Sequence, residues 1–180
     1  MGGLVRDPRG SVRGARDGSA VALDELFKAH WPAAHRAAYL IVHDSAAAED
    51  IAQEAFLAAI RALDRFDRRR PFGPWLHRIV VNRAIDHVRS RAIRREVGAE
   101  LAPEAAAATA SWTSSAYSDE TMAALSALPP EHRGVIVMRH LLEYTPGEIA
   151  RMLDLPRGTV NSRLRRGLDE LADSLQESRA

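Results

Sequence analysis

The sequence predicts an all-α fold: two small helical domains joined by a flexible linker, the second containing a helix-turn-helix. Three observations carry this. From Leu23 onward apolar residues recur at three- and four-residue intervals, and no segment alternates with period two between turn residues. The pattern lapses over 96–118, where Ala, Ser, Thr and Glu take over. It then resumes on either side of Thr145-Pro146-Gly147-Glu148, a strong helix-start signal between short apolar runs.

A length of 180 residues suits one mid-sized domain or two small ones. Hydrophobic residues make up 46% and charged residues 27%, which excludes wholesale disorder. Cysteine is absent, so a disulfide framework, a thiolate metal site and a cysteine nucleophile are excluded. No apolar run exceeds six residues, as in Ala37 to Val42, far below the roughly 18 needed to span a bilayer. No membrane insertion is expected. The N-terminus lacks an apolar signal core, so a cytoplasmic location is expected.

Residues 1–21 are rich in Gly, Arg, Ser and Asp without apolar period, and are read as a disordered tail. The first domain spans 22–95. Leu23, Leu26, Phe27, Ala34, Ala37, Tyr39 and Leu40 predict a helix near 22–42. Asp44 or Ser45 can cap the next helix, whose core side is Ile51, Ala52, Ala55, Phe56, Ala59, Ile60 and Leu63. Pro71, Gly73 and Pro74 make 65–73 a loop. A third helix follows on Trp75, Leu76, Ile79, Val80, Ile85 and Val88. Residues 96–118 form the linker, with Trp112 and Tyr117 as its only large apolar groups and candidates to dock on a neighbour. The second domain spans 119–176. Met122, Leu125 and Leu128 mark a short helix ended by Pro129-Pro130, and Val135 to Leu142 mark the next. Thr145 starts a third, Asp154-Leu155-Pro156 turns the chain, and Val160, Leu164, Leu168, Leu171 and Leu175 form the buried stripe of a last helix.

Net charge is only +1, but it is unevenly spread. Residues 61–95 hold eleven Arg and three Asp, and 151–167 hold five Arg against one Asp. Between them 96–132 carry six carboxylates and no Lys or Arg. Two basic blocks separated by an acidic stretch read as two anion-facing surfaces, or as solvated helix faces. The excess of Arg over a single Lys (Lys28) fits a GC-rich genome as well as selection for bidentate contacts.

Short helix, tight turn and longer helix is the helix-turn-helix plan, whose second helix enters the major groove. Removing the buried stripe from 157–168 leaves Arg157, Thr159, Asn161, Ser162, Arg163, Arg165 and Arg166 to face DNA. Arg forks onto guanine, Asn onto adenine, and Ser or Thr reach phosphate or base.

Two segments resemble bacterial sigma factors of the extracytoplasmic function (ECF) group. The first is Ala48-Glu49-Asp50-Ile51-Ala52-Gln53-Glu54-Ala55-Phe56, followed by the run from Trp75 to Arg89. The second is Leu128-Pro129-Pro130-Glu131-His132-Arg133, followed by Glu148-Ile149-Ala150 and by Gly158 to Arg166. The resemblance covers about 23–95 and 119–175 in the right order. It implies a first domain of region 2 type and a second of region 4 type. The partners it implies are core RNA polymerase, through the clamp of the largest subunit and the flap of the second-largest, and promoter DNA, double- and single-stranded. An anti-sigma factor is a further implied partner; no cofactor, metal or catalytic residue is implied.

Asp50, Gln53 and Glu54 share one helix face opposite Ile51, Ala55 and Phe56, and the resemblance assigns that face to the polymerase clamp. A protein holding an open duplex needs cations for the single strand and flat surfaces for unstacked bases. Arg61, Arg65, Arg78, Arg83 and Arg89, with Phe72, Trp75 and Asn82, meet that need and are assigned to the −10 element. Core packing is the competing role for Trp75 and Phe72. The −35 element falls to Arg157, Thr159, Asn161, Ser162, Arg163 and Arg166. Many group members carry Lys or Arg where Asn161 stands, so the −35 preference here is expected to differ.

Two rivals remain. A stand-alone helix-turn-helix regulator would leave the Asp50/Gln53/Glu54 face unexplained. A magnesium-dependent helical nucleotide hydrolase would need a second carboxylate pair, and the third helix offers only Asp86. The seven His show no zinc spacing, and Ser162 with His140 suggests no triad.

Overall fold

The computed structural model describes residues 9–67, 69–97 and 117–178. Eight α-helices are seen among them and no strand: α1 Arg9–Arg16, α2 Ala20–Val42, α3 Ser45–Arg61, α4 Phe72–Glu96, α5 Asp119–Ala127, α6 Pro130–His140, α7 Pro146–Leu153 and α8 Arg157–Glu177. A 3₁₀ turn, Leu63–Arg65, follows α3.

Most helix starts have a chemical cause. Ser19 accepts from the Ala22 amide at 3.3 Å, Asp44 from Ala47 at 3.1 Å and Ser118 from Thr121 at 3.2 Å. Pro130 and Pro146 occupy first-turn positions, where the missing N–H costs nothing. The same logic places Pro74 inside the first turn of α4, so that helix begins at Phe72, within the stretch read as a loop.

The first domain packs α2, α3 and α4 around small side chains. Ala34, Ala37 and Ala38 of α2, Ala48, Ala52, Ala55 and Ala59 of α3 and Ala84 of α4 are all fully buried. These alanines let the helix axes approach, and Ile41, Phe72, Leu76, Val80 and Val81 fill what remains. Ile60, read as core, is 38% exposed.

The reading of 1–21 as a disordered tail fails for residues 9–16. Helix α1 buries Val12 and Ala15 on α2, and Ser11 donates to Glu25 at 2.8 Å. Gly14 meets α2 so closely that a Cβ would lie 2.8 Å from that of Ala22. Eight residues with two glycines are too few and too weak to announce a helix locally; packing overrides propensity here. Residues 1–8, Arg68 and the linker stretch 98–116, with Trp112, lie outside the described residues. Tyr117 does dock: its ring lies under the Arg36 guanidinium at 5.3 Å.

The buried stripe of α8 departs from the expected one at Leu168, which is 40% exposed. Gly167 takes its place, against Ile136 and His132 of α6, where a Cβ would stand 2.8 Å from the Ile136 Cδ1. Absence of a side chain marks this contact, so a hydrophobicity stripe misses it.

The two domains touch. Helix α6 packs on α2 and α4, and α7 on α4. Gly134 meets Val81 and Ile85, and the Arg133 guanidinium, 5% exposed, donates to the carbonyl of Ile41 at the end of α2. It also donates to the carbonyls of Leu128, at 2.8 Å, and Ser126. Burial brings its pKa down to about 10, so it stays charged.

Candidate nucleic-acid interface

Three surfaces carry the predicted residues. On α3, Asp50, Gln53 and Glu54 are exposed in one line, as their spacing requires. Gln53 donates to Glu49 at 3.1 Å, and Arg83 of α4 donates to Glu54 at 2.6 Å. Leu57, one turn past Gln53 and Glu54, is 50% exposed on the same face. The sequence reading named only the polar residues of this face and left Leu57 out.

The second surface is the segment from Arg61 to Arg78 with the outer side of α4. Arg61, Arg65, Arg69, Arg70, Arg78 and Asn82 are exposed. Asp67 holds the turn, accepting from the Arg69 amide at 3.0 Å. The Phe66 and Trp75 rings stack at 4.6 Å, and Phe72 stands edge-on to both. Phe72 is only 1% exposed, so it offers no face to a base; it buttresses Phe66 and Trp75 from within. The direct −10 contact expected of Phe72 does not fit this burial. Trp75 remains half-buried at the surface. Arg89, also assigned to the −10 element, reaches across to Glu131 of α6 at 2.7 Å.

The third surface is α8. The Thr145–Glu148 capping box is closed in both directions, at 3.3 Å and 2.8 Å, and Thr145 holds the Glu148 carboxyl below its ordinary value. Asp154, at φ 55°, ends α7 in the left-handed region and turns the chain into α8. Val160 and Leu164 anchor α8 inward. Arg157, Asn161, Arg165 and Arg166 project outward, with Thr159, Ser162 and Arg163 half-buried beside them. Among the described residues, no ion pair engages Arg157, Arg165 or Arg166.

A cavity of about 950 Å³ joins the second surface to α7. Arg65, Arg69, Trp75 and Arg78 line one side; Glu148, Arg151 and Asp154 line the other. Behind it the Tyr144 hydroxyl and His77 Nδ1 share a buried hydrogen bond of 2.7 Å. Burial, helped by nearby His30, lowers the His77 pKa to about 4, so the ring is neutral at pH 7. Among the described residues, no group of three His, Asp or Glu is placed to hold a metal ion.

The fold and the outward cations of α8 define a helical DNA-reading protein of helix-turn-helix type. Comparison narrows the class. Residues 26–93 match the sigma-70 region 2 family and residues 118–171 match sigma-70, region 4. The chain is 34% identical to the ECF sigma factor SigM of Mycobacterium tuberculosis, over 86% of this chain and 78% of that one. It is 32% identical to the sigma factor CarQ of Myxococcus xanthus, over 90% and 94% of the two chains. Among solved structures it is similar to CnrH bound to the cytosolic domain of CnrY. There the TM-score is 0.71 and the identity 28%, with 95% of this chain and 98% of that one covered. The sigma factor RpoE of Bartonella quintana, solved with the anti-sigma factor NepR, shares the fold with a TM-score of 0.71 at 20% identity, over 85% of this chain and 96% of that one. The chain belongs to the ECF group of RNA polymerase sigma factors, and its function is that of a sigma factor.

Proposed function

We propose that the three surfaces divide promoter-specific initiation among them. The α3 face of Asp50, Gln53 and Glu54, extended by Leu57, binds the clamp of core RNA polymerase. The arginine-rich turn and the outer side of α4 hold the melted −10 strand. Helix α8 enters the major groove at the −35 element, while the C-terminal domain also meets the polymerase flap. The chain acts in the cytoplasm as a specificity subunit without catalysis of its own. Among the described residues, no helix is long and apolar enough to cross a membrane. Since CnrH and RpoE were solved with partner chains, the latter an anti-sigma factor, a protein of that kind is its regulator.

The observation that carries this reading is the register of α8. Its inward residues are apolar and its outward residues are Arg and Asn, the side chains that read base edges. The test is transcription by purified core polymerase with and without the chain, on a genomic promoter library. Start sites should appear only when the chain is added, with shared motifs near −35 and −10. DNA binding without core polymerase, and no new start sites with it, would favour a stand-alone regulator.

A further inference from the structure

We propose that Arg16, at the end of α1, is a positioning residue for capture of the melted strand: it binds Asp64 and keeps that carboxylate off the cations of the strand-reading turn. This rests on the assignment of that turn to the −10 strand.

The turn between α3 and α4 carries two carboxylates among its arginines, Asp64 and Asp67. A cation already matched by a nearby carboxylate attracts a phosphate strand less. Asp67 is used by the turn itself, accepting from the Arg69 amide at 3.0 Å and facing Arg70 at 3.8 Å. Asp64, next to Arg65 in the chain, takes its partner from α1: Arg16 Nε donates to its Oδ1 at 3.1 Å. Arg61, Arg65 and Arg69 stay exposed and form no ion pair among the described residues.

Helix α1 is fixed so that its end falls at this point. Val12 and Ala15 are buried, and Ser11 donates to Glu25 of α2 at 2.8 Å. Gly18, at φ 84°, turns the chain in the left-handed region that glycine adopts freely, and the Ser19 amide donates to the Gly14 carbonyl at 2.8 Å. Besides α2, α1 packs on the Leu63–Arg65 turn, where Leu63 is buried.

The pair itself adds little stability. The Arg16 side chain is 38% exposed and that of Asp64 80%, and an ion pair so open to water contributes little. Its effect falls on the field over the turn. Released, Asp64 would compete with a strand phosphate for Arg65.

The full chain bound to core polymerase tests this. The probe is a fluorescein-labelled fork of a promoter from the start-site map, its −10 positions unpaired, read by anisotropy. A duplex carrying the −35 element alone is the control. Arg16→Gln releases Asp64 and should weaken fork binding by about three- to tenfold. Duplex binding, co-purification with core polymerase and melting temperature should stay as in the parent. Adding Asp64→Asn removes the released carboxylate and should restore fork binding to within about twofold of the parent. A purely structural role for the pair would give no such rescue. Unweakened fork binding by Arg16→Gln overturns the proposal, and so does a double variant that binds no tighter than the single one. Joint replacement of Arg65→Ala and Arg69→Ala checks the reading beneath it. Unchanged fork binding in that variant would overturn the strand-reading assignment instead.

Discussion

Helices α4 and α8 are both rich in arginine, and they use it in opposite ways. On α4, Arg83 is bound to Glu54, Arg89 to Glu131 and Arg91 to Asp44, each carboxylate outside α4. On α8, Arg157, Arg165 and Arg166 are exposed and form no ion pair among the described residues. The first helix sits inside the three-helix domain and its cations join neighbours together. The second is held by only its inner stripe and leaves its cations for a ligand. Arg133 on α6 is a third use, a buried fork that caps carbonyls of both domains.

The sharpest way to break the comparison is to remove the buried fork. Arg133→Ala leaves the carbonyls of Ile41, Ser126 and Leu128 without their donor. With hydrogen bonds from a charged donor at about 1.5–3 kcal/mol each and incomplete rescue by water, the loss should be roughly 3–5 kcal/mol. Arg133→Lys restores the charge but not the fork, and should recover only a part. Urea denaturation measures both; a loss under 1 kcal/mol for the alanine variant would remove Arg133 from this role.

Next in size is the α3 face proposed to bind polymerase. Asp50→Arg reverses an exposed charge that makes no ion pair among the described residues, so folding should be unaffected while core binding falls by roughly 2–4 kcal/mol. Glu54→Arg should lose as much core binding and also repel Arg83, lowering stability slightly. Co-purification with core polymerase and a melting curve for each variant separate these effects. Undiminished co-purification of Asp50→Arg would take the clamp role away from this face.

On α8 the contrast predicts altered specificity without instability. Asn161→Ala and Arg166→Ala should each cost about 1–3 kcal/mol at one −35 position. Their melting temperatures should stay within a degree or two of the parent, because neither side chain touches the core. A uniform fall in transcription across a promoter library, with preferences unchanged, would mean phosphate contact.

How much of this was legible beforehand follows from the same contrast. Periodicity exposes a helix that buries large side chains, so α2 to α8 were visible. It does not expose contacts made by absence, as with Gly14 on Ala22 or Gly167 on Ile136. Nor does it expose α1, whose stability comes from its neighbours. Charge counting found both basic blocks but could not separate the tied arginines of α4 from the free ones of α8. That distinction depends on where Glu54, Glu131 and Asp44 arrive in space. Phe72 was misplaced for a related reason: an aromatic residue beside Pro and Gly looks like a loop ornament until the helix is seen to start on it.

The seam between the domains adds a pH dependence that comes from buried histidines and not from the arginines of α4 or α8. His77, pressed by Tyr144 and near His30, and His43, buried near Arg133, both have pKa values lowered to about 4. Their folded values lie below the ordinary 6.5, so the native state binds fewer protons than the unfolded one. The stability they contribute is full above about pH 6.5 and is lost as pH falls toward 4. One pH unit inside that window amounts to about 1.4 kcal/mol per group. Unfolding followed at pH 7.5 and 5.5 should show the loss, and His77→Phe should flatten it. An identical slope in that variant would place the proton uptake elsewhere.

The smallest effect contrasts the two helix starts that frame these surfaces. Asp44 caps α3 in the first domain and also faces Arg91 at 3.5 Å, whereas Thr145 caps α7 and exchanges bonds with Glu148 alone. Removing either cap should cost about 1 kcal/mol. Asp44→Asn keeps the capping oxygen and loses the ion pair, so it should retain most of the stability, since a partly exposed pair contributes little. Thr145→Ser keeps both halves of the capping box and should be nearly silent. Thr145→Ala breaks it, and the Glu148 carboxyl, no longer held by that hydroxyl, should titrate at a higher pH. An NMR titration of Glu148 in the two Thr145 variants reads this directly. A carboxyl that titrates at the same pH in both would show that the hydroxyl does not hold it, and that α7 owes its start to Pro146 and to packing on α8.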